Sequence, residues 1–144
     1  YVVTGDGELD EGSNWEGLMT IRHYNLTNCI TIVDRNHCMI DSNTEDVMKL
    51  EPLADKFVAF GFHTIVCEGN NIVSLCKAID EAHKTKDKPT VIVADTIKGV
   101  GIKLTSGNYK WHYGAIDEEM AKVAAKDLDE YSAERIARCG KEFE

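Results

Sequence analysis

The sequence predicts an α/β fold, a mainly parallel sheet with helices on both faces. Three observations predict it. Four short β-branched runs punctuate the chain, amphipathic segments lie between them, and glycines cluster after the first run and after the last. Each run is almost continuously apolar rather than strictly alternating, as expected of strands covered on both faces.

The elements follow in order. Residues 1–4 form the first strand, and Gly5-Asp6-Gly7 the turn after it. A helix is predicted over 13–24, with Trp15, Leu18, Met19 and Arg22 at helical spacing and the Trp15, Leu18, Met19 stripe assigned to the core. The second strand is 28–34 (NCITIVD). A short helix over 52–60 has Pro52 near its first turn and Gly61 as its stop. The third strand is 63–68 (HTIVCE), followed by a helix over 71–84 with Ile72, Leu75, Cys76, Ile79 and Ala82 on one stripe. The fourth strand is 89–95 (PTVIVAD). A last helix over 117–139 opens with an acidic first turn and closes before Gly140. Strands alternating with helices imply right-handed βαβ units, whose ligands bind at the carboxyl ends of the strands, where the glycine-rich loops fall.

The chain has 144 residues, 43% of them apolar, which suits one domain with a real core. No stretch is long and apolar enough to cross a bilayer. The formal net charge is −9 with no cluster of Lys and Arg, which argues against nucleic-acid binding. That field also opposes anionic ligands, so a phosphate site has to be built locally from backbone amides, a helix end or a metal ion. The five cysteines are odd in number and show no C-x-x-C spacing, pointing to reduced thiols and a cytoplasmic home. The chain opens inside a strand without an initiator Met, a basic start or a cleavage pattern, so an upstream segment is expected.

A glycine pair at a strand-to-helix turn lets backbone amides approach a phosphate, and the aspartate between them can ligate a hard cation. A bare Gly-Asp-Gly is most often only a tight turn. Here Asn36 follows the second strand, 36 − 6 = 30 positions after Asp6. About that length returns a chain to a neighbouring strand tip. A carboxylate, an amide oxygen and a nearby backbone carbonyl are ligands that Mg²⁺ or Ca²⁺ prefers, with phosphate oxygens and water completing the shell.

This spacing, with Gly5-Asp6-Gly7-Glu8-Leu9-Asp10-Glu11-Gly12-Ser13-Asn14-Trp15-Glu16, Ile32-Val33-Asp34-Arg35-Asn36, Asp95-Thr96-Ile97-Lys98-Gly99 and Trp111-His112-Tyr113-Gly114, resembles the amino-terminal part of the transketolases. The similarity runs in collinear order from Val2 to about Leu128. It implies a thiamine-diphosphate-binding fold, with residues 1–144 as a diphosphate and metal domain truncated at its N-terminus. The implied activity is transfer of a two-carbon ketol unit between sugar phosphates. The implied metal ligands are Asp6 and Asn36 by side chain and Cys38 by its carbonyl. Gly7 would give an amide to the diphosphate, and His112 would reach the diphosphate and the substrate. Glu11 and Glu16 would join a proton network near a dimer interface, which requires Glu11 to lie at or before the helix start. Thiamine diphosphate and Mg²⁺ (or Ca²⁺) are the implied cofactors. The pyrimidine-binding domain has no counterpart here, so a partner chain or another segment is expected to supply it, in a homodimer or heterotetramer such as a split transketolase.

Asp41-Ser42-Asn43-Thr44 stands where a transketolase usually reads Asp-Gly, so a different turn is expected there. The competing expectations are another thiamine-diphosphate enzyme (a sulfo- or deoxysugar transketolase, a deoxyxylulose-phosphate synthase, a 2-oxo acid decarboxylating subunit), a regulatory subunit of the same fold, or a generic phosphate-binding domain. The last predicts that Asn36 lies far from Asp6.

Overall fold

The computed structural model describes residues 1–139. Four parallel strands, β1 (Val2–Gly5), β2 (Ile30–Arg35), β3 (His63–Glu68) and β4 (Thr90–Asp95), form one sheet in the order β1-β2-β4-β3. The helices are α1 (Gly12–His23), α2 (Thr44–Val47), α3 (Leu53–Ala59), α4 (Ile72–Lys84) and α5 (Glu118–Cys139). Short 3-10 turns over Gly7–Asp10 and Tyr109–Trp111 complete the set. The α/β class and all four strands agree with the sequence. Gly140, the expected stop of α5, lies outside the described residues.

The strand order determines which face each helix covers. Steps from β1 to β2 and from β2 to β3 run one way across the sheet; the step from β3 back to β4 runs the other way. Right-handed crossovers therefore place α1 and α3 on one face and α4 on the opposite face. Two cores result. Val33, Val91 and Val93 point to Leu9, Leu18, Leu53 and Phe57 on the first face. Ile30, Ile92, Ile65 and Cys67 meet Ala78, Ala82 and Ile79 on the second. Strand residues alternate between these cores, which is why the runs read as continuously apolar. β4 has five consecutive buried residues, whereas the edge strands β1 and β3 do not.

The first core is anchored by Phe57, fully buried and stacked on Trp15 with ring centroids 5.6 Å apart. Burying such a ring contributes roughly 1.5–3 kcal/mol. Two stripes predicted from spacing need correction. Met19 is 59% exposed, because the α1 face toward the sheet is already filled by Trp15, Leu18 and Ile21. On α4 the covered side is Ala78, Ile79 and Ala82, and Ile72 at the first helical position is 71% exposed. The Asn71 side chain accepts from the amides of Val73 and Ser74, capping α4. Asp117 does the same for α5 by accepting from Met120 N.

Backbone bonds continue one step past the strands at their carboxyl ends. Asp6 N donates to Asp34 O (3.1 Å), Thr96 N to Arg35 O (3.0 Å) and Gly69 N to Asp95 O (2.7 Å). The loops that follow therefore leave from a fixed line of strand tips.

Candidate functional site

Asp6 is the first residue beyond β1 and is wholly buried. Burying a carboxylate is costly unless it is hydrogen-bonded, and this one is. Its Oδ2 accepts from the His37 amide (2.7 Å) and from Arg35 Nη1 (3.0 Å); its Oδ1 accepts from the Gly7 amide (2.8 Å). The carboxylate thus lies directly against the segment that follows β2. His37 adopts the left-handed conformation (φ 62°), which is uncommon outside glycine and sharply reverses the chain. Its ring Nε2 meets Asp95 Oδ1 at 2.7 Å, tying the loop to the tip of β4.

Asn36 is held on both sides of its amide. Nδ2 donates to Asp34 Oδ2 (3.2 Å) and Oδ1 accepts from Cys38 N (3.0 Å). Asp34 in turn receives the Thr96 hydroxyl on its other oxygen. These partners fix which way the amide points, since a carboxylate only accepts and an N–H only donates. Cys38 pairs with Asn43 in a short antiparallel bridge whose bonds are Thr44 N to His37 O (3.1 Å) and Met39 N to Ser42 O (2.9 Å). In such a pair the middle residue turns its own N–H and C=O outward. The Cys38 carbonyl therefore points away from Asn43, to the side where its amide meets Asn36. The bridge leads directly into α2 (Thr44–Val47). The Cys38 thiol is buried, and burial pushes its pKa above the ordinary value; Lys98 partly opposes this and Asp6 adds to it.

Gly7 opens the 3-10 turn, close enough to Met39 that a Cβ would come within 3.0 Å of Met39 Cβ. Glu11 ends that turn and precedes α1 with extended backbone (φ −86°, ψ 122°), while Glu16 lies within the helix. Both are exposed, and neither carboxylate has an ion-pair partner among the described residues. Glu11 thus stands before the helix start. His112 is exposed in the long loop after β4, with Nδ1 3.4 Å from Lys98 Nζ. Asp6, Gly7, Asn36 and Cys38 form one cluster at the tips of β1 and β2, His112 meets Lys98 in the loop beyond β4, and Glu11 stands before α1 with Glu16 on an exposed side of that helix.

The donor set suits a hard cation. Asp6 Oδ1 and Asn36 Oδ1 each meet one N–H, which leaves each a lone pair. No group of three His, Cys, Asp or Glu able to hold a metal occurs among the described residues. A centre here would draw on amide and carbonyl oxygens and on non-protein oxygens, as Mg²⁺ does.

Sequence reasoning missed Arg35, which is 2% exposed and holds Asp6 from behind. It also missed Asp10, whose two carboxylate oxygens are buried without a hydrogen-bond partner. No local pattern points to the first, because only the fold brings Glu45 and Glu51 to a strand-terminal arginine. Nothing in the residue pattern points to the second.

Comparison with known proteins gives these positions a context. The family model described as "Transketolase, thiamine diphosphate binding domain" matches residues 1–133. The chain is 39% identical over 128 residues to an apulose-4-phosphate transketolase subunit from Actinobacillus succinogenes, covering 89% of this chain and 46% of that protein. It is 37% identical over 133 residues to the 6-deoxy-6-sulfo-D-fructose transketolase subunit SqwG of a Clostridium species, covering 92% and 48%. The chain therefore spans about half the length of these curated relatives. Among solved structures, transketolase from Campylobacter jejuni superposes with a TM-score of 0.80 at 29% identity, covering 88% of this chain and 20% of that one. The Leishmania mexicana enzyme gives 0.73 at 32% identity, covering 95% and 24%. With the family model matching nearly its whole length, the chain belongs to the transketolase family, within the thiamine diphosphate binding domain.

Proposed function

We propose that this chain forms the diphosphate and metal half of a transketolase-type active site that transfers a two-carbon ketol unit from a ketose to an aldose. The observation that carries this reading is the wholly buried Asp6 carboxylate, laid against residues 34–37 at the tips of β1 and β2. Bound thiamine diphosphate would supply the nucleophilic carbon and the electron sink for cleaving and forming the C–C bond.

The protein's part is to hold and orient. Asp6, Asn36 and the Cys38 carbonyl would ligate Mg²⁺ or Ca²⁺, which offsets the repulsion between an acidic chain of net charge −9 and an anionic diphosphate. The Gly7 amide, next in line after Asp6, would turn to a diphosphate oxygen. His112 would contact that group or carry a proton at its imidazole. Glu11 and Glu16 would relay protons at an interface between subunits.

The two curated relatives are each, by name, one subunit of a transketolase, and the chain covers about half of each. This supports a pyrimidine-binding domain on a partner chain or on another segment, in a composite dimer or heterotetramer. Free thiols at Cys29, Cys38, Cys67 and Cys76 accord with a cytoplasmic setting. The same relatives favour testing branched and sulfonated sugars alongside the common ketose phosphates.

The test is ketol transfer by the chain purified with its genomic neighbour, in the presence of thiamine diphosphate and Mg²⁺. Asp6→Ala is expected to abolish cofactor binding and turnover. Unchanged cofactor affinity in that variant would refute the assignment.

A further inference from the structure

We propose that Arg35 is the positioning residue of the metal site: it clamps one oxygen of Asp6 and couples the orientation of that carboxylate to the segment 44–51. The inference rests on the reading of Asp6 as a metal ligand.

Arg35 ends β2, where a charged side chain usually reaches water. Here it is 2% exposed and all five of its N–H donors are engaged. Nη1 donates to Asp6 Oδ2 (3.0 Å) and Thr44 Oγ1 (2.6 Å). Nη2 donates to Glu45 Oε1 (2.9 Å) and Glu51 Oε1 (2.9 Å), and Nε to Glu51 Oε1 (3.2 Å). Burial opposes the charge, but the bonds that Arg35 donates to Glu51 and Asp6 outweigh it and raise the guanidinium pKa.

With Arg35 and the His37 amide both on Oδ2, that oxygen has no lone pair left, and the carboxylate cannot rotate without breaking two charge-assisted bonds. Oδ1 keeps a lone pair. A cation beside a cation site would normally weaken it. Here one guanidinium faces three carboxylates, Asp6, Glu45 and Glu51, leaving the cluster at 1 − 3 = −2 and still attractive to a divalent ion. A lysine could supply the charge but not the planar fork that reaches four residues.

Metal binding measured by isothermal titration calorimetry on the full chain with its partner and thiamine diphosphate separates the possibilities. Wild type, Asp6→Asn, Arg35→Gln, Arg35→Lys and Glu51→Gln are titrated with MgCl₂, each checked for folding by circular dichroism. Partners that orient a metal ligand typically govern affinity by about 10–100-fold, and Arg35→Gln is expected to weaken Mg²⁺ within that range. Arg35→Lys should recover part of the loss, and Glu51→Gln should lose a smaller amount, because Thr44 and Glu45 still hold the guanidinium. A purely structural arginine would lower the melting temperature and leave the Mg²⁺ affinity of the folded protein unchanged; that result would overturn the proposal while Asp6→Asn still loses Mg²⁺. If Asp6→Asn binds Mg²⁺ like wild type, the metal reading itself fails and the Arg35 role goes with it. Should Arg35→Gln not fold, Arg35→Lys and Glu51→Gln decide, and wild-type affinity in both refutes the positioning role.

Discussion

Neutralising Asp10 should stabilise the protein, and by an amount that grows with pH. Both of its carboxylate oxygens are buried without a hydrogen-bond partner. Its pKa is raised above 3.8, first by desolvation, then by repulsion from Asp6, Glu11 and Glu45, with Lys56 opposing. A raised carboxyl pKa means that the fold prefers the neutral acid. The contribution to stability is complete below the unfolded pKa and is lost as pH climbs through the folded one. Leaving a buried polar group unpaired costs about 1–3 kcal/mol, more when it is charged. Asn keeps the shape and still lacks a partner, so Asp10→Asn relieves only the charged part. We expect a gain of about 1–2 kcal/mol at pH 7, a few degrees in Tm for a chain of this size. Urea unfolding followed by circular dichroism at steps from pH 4 to pH 8 measures it. The gap between variant and wild type should open with rising pH and narrow toward zero at the acid end. A constant gap, or a variant less stable at every pH, would refute the reasoning.

Other outcomes follow from packing and thiol chemistry. Phe57→Ala removes a fully buried ring stacked on Trp15 and should cost about 3–5 kcal/mol in denaturant unfolding. Gly69→Ala would drive a Cβ into Thr96 Cγ2 and put it 3.1 Å from the Ala94 carbonyl carbon. Backbone on that side leaves little room to yield, so a loss of about 1–3 kcal/mol is expected. On the proposed metal reading the loss should come with weaker Mg²⁺ binding, because Thr96 is displaced from Asp34. Timed alkylation read by mass spectrometry should label exposed Cys76 well before Cys38 and Cys67, whose thiols burial holds above their usual pKa of 9.0.

The four strands were legible because a doubly covered parallel sheet leaves a plain trace, an unbroken β-branched run between glycines. The same trace hides which strands are edges. The runs at β1 and β3 read like those at β2 and β4, yet Val3 and Val66 are more than 60% exposed. Edge position depends on strand order, which local pattern does not contain. Helix faces were legible where one stripe dominates and failed at Met19 and Ile72, where tertiary packing chose among near-equivalent sides. At the strand tips, the approach of Asp6 to the segment after β2 was readable from spacing. Arg35 was not, since a charged residue at a strand end normally faces solvent, and only the fold gathers Thr44, Glu45 and Glu51 around it. The left-handed backbone of His37 was equally hidden, because it is a minority conformation even for histidine.

The lateral bonds at Asp6, Thr96 and Gly69 also set where the molecule can tolerate change in length. Each extends the ladder one residue past its strand, so the spacing of the site's oxygens is fixed upstream of the loops rather than by them. Extra residues inserted within 97–108 would lengthen an outward excursion and leave the platform beneath it unaltered. A single residue inserted between Asp34 and Arg35 would turn Arg35 to the opposite face of the sheet and carry Asn36 one position further from the strand tip. Diversity in length is therefore free to accumulate in the distal loop, while the register of two strand tips stays closed to insertion.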